Sequence, residues 1–184
     1  MYIEKLNTMK FQQLSIPDII LIKPKVLEDH RGFFMESYQI EKFKLGGIDS
    51  IFVQDNHVKS IYNILRGMHF QVDFPQAKLM RCLQGTIFDV GVDIRQDSPY
   101  YGRWVGEELS EFNKYQLFIP EGFAHGYYVM SETAEVSYKC SEIYHPEDEQ
   151  GIIWNDPEVG IQWPASNPIL SEKDSKLKKL INKK

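Results

Sequence analysis

Apolar residues along this chain recur mostly at every second position, the period of a half-buried β-strand. The clearest case is Thr86-Ile87-Phe88-Asp89-Val90-Gly91-Val92-Asp93-Ile94, where Phe88, Val90, Val92 and Ile94 share one face and both aspartates the other. Strands are also predicted over residues 19–22, between Pro17 and Pro24, and over 51–57, 64–71, 78–83, 102–109, 115–119, 127–130 and 134–140. Residues 33–38 read as an extended segment after the turn His30-Arg31-Gly32. Gln84-Gly85 reads as a hairpin turn, and Pro120 to Gly126 as a turn that delivers His125 to the following strand. Helical spacing is confined to residues 40–45 and to a final helix over 171–181, with Ser171 as N-cap and Asp174 at the capping-box position. The aromatic, irregular stretch 154–164 is suited to wrapping the outside of the fold. Many short strands in succession predict an all-β sandwich or barrel.

Composition narrows this picture. At 184 residues the chain suits one domain spanning 1–184, with 1–8 as a loose leader, Met9 as an alternative start and 171–184 as C-terminal helix and tail. A net charge of -5 argues against nucleic-acid binding. No apolar run approaches membrane-spanning length and the first ten residues lack a signal-peptide core, so no membrane association and a cytoplasmic location are expected. Cys82 and Cys140 stand far apart in strand-like contexts, which fits packed free thiols in a reducing compartment.

The candidate chemistry centres on Ile64-Leu65-Arg66-Gly67-Met68-His69-Phe70-Gln71. Simple alternation puts Leu65, Gly67, His69 and Gln71 on one face and Arg66, Met68 and Phe70 on the other. His69 is suited to taking a proton near neutral pH, while the bland reading is a packed imidazole bonded to a carbonyl, and the strand alone leaves both open. Gln54 and Asn56 share a strand face, as amides reading hydroxyl or carbonyl groups would. His125, Lys78, Tyr138 and the carboxylates could supply an acid, a base and an electrostatic clamp, the ingredients for enolisation, although Tyr138 also suits a packed aromatic and Lys78 a solvated charge. A metal is the rival reading, because small β-barrels hold iron or zinc with a His-x-His pair and a later histidine. Pro120-x-Gly122-x-x-His125 provides the later element, but Phe70 and Gln71 follow His69, so the His-x-His pair is missing and no metal is expected.

Asp29-His30-Arg31-Gly32-Phe33-Phe34, Val53-Gln54-Asp55-Asn56, Leu65-Arg66-Gly67-Met68-His69, Gln76-Ala77-Lys78-Leu79, Ile119 to Gly126 and Tyr138-Lys139-Cys140 occur together and in order. In these motifs the chain closely resembles the dTDP-4-dehydrorhamnose 3,5-epimerases, from about Phe11 to Asp174. The resemblance implies a double-stranded β-helix, the cupin jelly roll, with a few short peripheral helices and a C-terminal helix. It implies a homodimer that works without cofactor or metal and inverts C3 and C5 of a dTDP-4-keto-6-deoxy sugar on the route to dTDP-L-rhamnose. By matching position, His69 is the base, Asp174 its carboxylate partner, Tyr138 the acid on the opposite face and Lys78 the enolate stabiliser. Arg31, Glu36, Gln54, Asn56, Arg66, Lys78, His125, Glu149 and Lys173 are implied to hold the nucleotide sugar, some of them across the dimer. A member acting at one carbon, or on another keto-sugar nucleotide, would carry most of the same motifs, and a metal-dependent cupin or a catalytically silent sugar-binding cupin are the readings from other classes.

Overall fold

A computed structural model describes residues 9–180. The leader expected over 1–8 and the last residues of the tail lie outside the described residues.

The strands run in chain order as β1 Lys10–Gln13, β2 Ile20–Lys23, β3 Val26–Asp29, β4 Gly32–Met35, β5 Gln54–Ile61, β6 Leu65–Gln71, β7 Lys78–Gln84, β8 Thr86–Asp93, β9 Trp104–Ser110, β10 Gln116–Ile119, β11 Phe123–Val129, β12 Thr133–Cys140 and β13 Glu149–Gly151. One helix, α1 Ile40–Leu45, lies between β4 and β5. A six-stranded sheet has the order β1-β2-β10-β7-β12-β5 and a five-stranded sheet the order β13-β6-β11-β8-β9, with β3 and β4 as a separate hairpin. Every pairing in them is antiparallel and the neighbours are largely non-sequential, the two-sheet arrangement of a jelly roll. The expected all-β cupin architecture is borne out.

The alternation explains the layers. Leu21, Met80, Leu117, Ile119 and Val136 from the six-stranded sheet meet Ile87, Leu109, Phe123, Tyr127 and Val129 from the five-stranded sheet in the central core. The outer face of the larger sheet, with Ile20, Ile22, Leu79 and Phe118, is covered by Phe43 of α1 and by Ile48. Gln39 caps this short helix by accepting from the Lys42 amide at 2.6 Å, and Gly46 ends it. Val90, Val92 and Met68 on the outer face of the smaller sheet are covered by Ile152, Val159, Ile161 and Trp163, so the stretch expected to wrap the fold does so. The two thiols are buried and free.

Three expectations are corrected. His125 lies inside β11, which begins at Phe123, and not in a turn before a strand. The strand expected over 51–57 begins at Gln54 and continues to Ile61, because β12 pairs with it along that whole length. The final helix shrinks to a 3-10 turn at Asp174–Lys176. Ser171 does accept from the Asp174 amide at 3.0 Å, as its N-cap position suggested. Beyond Leu177, however, the chain is extended and bridges Ile152 through Lys178, while Leu180 N donates to Asp156 Oδ2 at 2.6 Å. Tertiary hydrogen bonds and the apolar contacts of Leu180 replace helical ones there.

Candidate active site

A cavity of about 550 Å³ opens between the two sheets and is closed at one side by the segment from Leu170 to Asp174. The five-stranded sheet contributes Arg66 and His69 from β6, His125 from β11 and Glu149 from β13. Opposite them stand Gln54 and Asn56 from β5, Lys78 from β7 and Tyr138 and Cys140 from β12. Lys173 and Asp174 join the lining from the closing segment.

Arg66 and His69 share the cavity although simple alternation separates them. In the β6–β11 pairing, Tyr127 faces Arg66 and His125 faces His69, so β6 uses three steps where β11 uses two. This bulge resets the alternation and turns His69 to the side of Arg66. Gly67 is the residue that allows it: its φ is +121°, and a Cβ there would stand 2.5 Å from Gly126 Cα.

His69 Nε2 lies 2.6 Å from Asp174 Oδ1, across 105 positions of sequence, and Asp174 is 4% exposed. Burial alone would raise the Asp174 carboxyl, but the bonds and charge of His69 and the Gly67 amide outweigh it and hold the group below its ordinary value. An ionised Asp174 fixes the Nε2–H tautomer, which leaves Nδ1 as the basic nitrogen. Nδ1 stands 3.6 Å from Glu149 Oε1. Glu149 is itself held by the Tyr144 hydroxyl at 2.8 Å and by the Lys173 ammonium. These partners lower its carboxyl against the opposing effect of burial.

Burial is the first cause that pushes the Tyr138 hydroxyl up to about 12. It therefore carries its proton at neutral pH. Burial has the opposite effect on Lys78 and lowers its ammonium. A desolvated ammonium gains most from an anion that forms beside it. His125 Nε2 makes a second histidine–carboxylate contact, 2.7 Å from Asp89 Oδ1, with Asp89 fully buried.

Ten of the predicted residues thus meet: His69, Tyr138, Asp174, Lys78, Gln54, Asn56, Arg66, His125, Glu149 and Lys173. Arg31 and Glu36 do not join them. Arg31 is bound to Asp29 at the tip of the exposed β3–β4 hairpin, and Glu36 pairs with Lys42. Sequence reasoning missed Tyr127, Tyr144, Asp89 and Ser60, the last bonded to Arg66 Nε at 3.1 Å. The inward phase of β8 could have flagged Asp89; for Tyr144, which lies in a loop, no pattern existed. Among the described residues, no group of three or more His, Cys, Asp or Glu side chains converges to hold a metal ion. No helix among them is long and apolar enough to cross a membrane.

Comparison with known proteins agrees with this geometry. Residues 13–182 match the family model described as dTDP-4-dehydrorhamnose 3,5-epimerase. The chain is 48% identical over 176 residues to the Shigella flexneri dTDP-4-dehydrorhamnose 3,5-epimerase, covering 95% of this chain and 97% of that protein. It is 52% identical to the Neisseria gonorrhoeae enzyme of the same name over 87% of its own length, and spans about half (49%) of that longer protein. Among solved structures, the Legionella pneumophila dTDP-6-deoxy-D-glucose-3,5-epimerase in complex with dTDP-4-keto-L-rhamnose superposes with a TM-score of 0.91, at 46% identity and with 94% and 93% of the two chains covered. Sequence, fold and family model therefore agree that this chain belongs to the dTDP-4-dehydrorhamnose 3,5-epimerases, isomerases built on the cupin-type β fold.

Proposed function

We propose that the chain epimerises dTDP-4-dehydro-6-deoxy-D-glucose at C3 and C5, giving dTDP-4-dehydro-L-rhamnose, with His69 as base and Tyr138 as acid. The observation that carries this reading is that the two side chains reach one cavity from opposite sheets, His69 backed by Asp174. Inversion at a carbon requires a proton to leave one face of the sugar ring and another to arrive at the opposite face. A base and an acid on facing walls supply that arrangement.

The C4 ketone acidifies the hydrogens on both C3 and C5. His69 Nδ1 takes the carbon-bound proton, and the resulting imidazolium is stabilised by the Asp174 carboxylate. Negative charge moves to the C4 oxygen, where the Lys78 ammonium meets it. Tyr138 then protonates the opposite face of the carbon. The same three groups serve C3 and C5, since each flanks the same ketone. Asp174 acts through His69 and is a positioning residue. Arg66 is suited to the pyrophosphate, with Gln54, Asn56, His125, Glu149 and Lys173 on the rest of the nucleotide sugar.

The working form in this reading is a cytoplasmic homodimer. Arg31 and Glu36 stand away from their own cavity, on or just beyond a hairpin whose Leu27, Phe33 and Phe34 are 50%, 52% and 70% exposed. Such a hairpin is suited to reaching a second copy, where Arg31 and Glu36 would meet the partner's nucleotide sugar. Light scattering at micromolar concentration is expected to give twice the chain mass, and a monomer there would remove the role of these two residues.

The deciding experiment is incubation with the dTDP-4-keto-6-deoxy sugar in deuterated water, with the C3 and C5 positions read by NMR. Deuterium at both carbons with formation of the L-rhamno product is expected. Deuterium at one carbon alone would replace the reading by a mono-epimerase, and none at either would reject it.

A further inference from the structure

Cys140 lies in the cavity wall and takes no part in the proton transfers just described. It is 1% exposed. In the larger sheet it stands opposite Gln54 on β5 and opposite Lys78 on β7. Residues so paired have Cβ atoms roughly 4.5–5.5 Å apart on one sheet face, so its side chain sits between a binding amide and the enolate-stabilising lysine.

The hydrogen bonds around it run in one direction. Tyr144 N donates to Gln54 Oε1 at 3.0 Å, Gln54 Nε2 donates to Asn56 Oδ1 at 3.1 Å, and Asn56 Nδ2 donates to Cys140 Sγ at 3.7 Å. Each carboxamide oxygen thereby accepts one bond within this chain. Each NH₂ group keeps one hydrogen for the cavity, so the pair presents donors to a ligand's keto, ring-carbonyl or phosphate oxygens. The backbone amide anchors one end of the chain and the sulfur the other. Burial raises the Cys140 thiol even though the Lys78 charge pulls the other way, so the sulfur is uncharged at neutral pH and does not neutralise the lysine. Cys82 is different in kind, since its thiol turns to the carbonyls of Gln84 and Gly85 in the hairpin.

We propose that Cys140 is a positioning residue for nucleotide-sugar binding: its sulfur terminates the hydrogen-bond chain that orients the Gln54 and Asn56 carboxamides with their donors toward the ligand. This rests on the reading above that these amides touch the nucleotide sugar. Without an acceptor at position 140, the Asn56 carboxamide keeps only the bond its oxygen accepts from Gln54, and its NH₂ group is no longer fixed toward the ligand. A hydroxyl at the same place accepts as the sulfur does.

The test is a double-mutant cycle with steady-state kinetics and thermal melts. Cys140→Ala and Cys140→Val both remove the acceptor, and each is expected to raise KM about threefold to tenfold, the worth of one neutral hydrogen bond. Their kcat should stay within about twofold, because the proton-transfer groups are untouched. Cys140→Ser should restore KM. In an Asn56→Ala background, Cys140→Ala should add nothing further, since the amide it orients is gone. An unchanged KM in both the Ala and Val variants, or a penalty that multiplies with that of Asn56→Ala, would make Cys140 a packing residue and overturn the proposal alone. A normal KM for Asn56→Ala itself would overturn the assignment of that amide to the ligand, and the proposal with it. The Val variant and the melts keep the test decisive if Cys140→Ala folds poorly.

Discussion

Tyr138→Phe separates the two halves of the proposed reaction, and the structure sets what it should do. The substitution removes one oxygen from a partly buried ring packed against the central core. The ring and its packing stay in place, and only the hydroxyl, whose value is set first by burial, is lost. The melting temperature should therefore move by no more than about 3 °C, the shift of roughly 1 kcal/mol in a chain of this size. The chemical effect is much larger. A positioned acid is worth on the order of a hundredfold to ten-thousandfold, and Tyr138, its hydroxyl pushed up to about 12 by burial, is the protonated donor on its wall of the cavity. Formation of inverted product should fall at least about a hundredfold. Proton removal does not need the phenol, because His69, Asp174 and Lys78 remain, so deuterium should still enter at C3 with retained configuration. NMR in deuterated water reads exchange and inversion from one sample. His69→Ala is the complement and should abolish both signals, since it removes the base that takes the carbon-bound proton. If Tyr138→Phe inverts at a near-normal rate, Tyr138 is a packing aromatic. If it stops exchange as completely as His69→Ala while staying folded, the division into base and acid is wrong.

Two further outcomes follow from the same geometry. Burial lowers the Lys78 ammonium from its ordinary 10.5, and the charged form is the one that meets the oxyanion, so activity should be lost as pH rises through that lowered value, before Tyr138 titrates at about 12. The alkaline limb of kcat/KM should accordingly fall below 10.5 and move upward in Lys78→Arg; an unmoved limb would assign it to another group. Gly67→Ala combines a φ of +121° with a Cβ 2.5 Å from Gly126 Cα, and should destabilise the protein by about 2–4 kcal/mol in denaturant unfolding. A change below about 0.5 kcal/mol would mean that the β6–β11 bulge relaxes freely.

The residues by themselves determine the greater part of this protein, because its dominant signal is local. Period-two alternation in stretches such as Thr86–Asp93 and Thr133–Cys140 demands strands with one face buried, and enough of them to close two sheets on each other. The site chemistry was legible for the same reason: His69, Lys78, Gln54, Asn56 and Tyr138 sit in short motifs whose order along the chain is itself informative. What alternation could not supply is phase across a bulge. Arg66 and His69 share a wall because β6 takes three steps against two in β11, a mismatch that exists only between paired strands. Nor could the last segment be read locally, since its Ser-x-x-Asp signature suits a helix. Only the folded chain sends the Asp174 carboxylate to an imidazole 105 residues away and pulls Lys178 and Leu180 onto the body, where tertiary bonds outweigh the few that a short helix would keep.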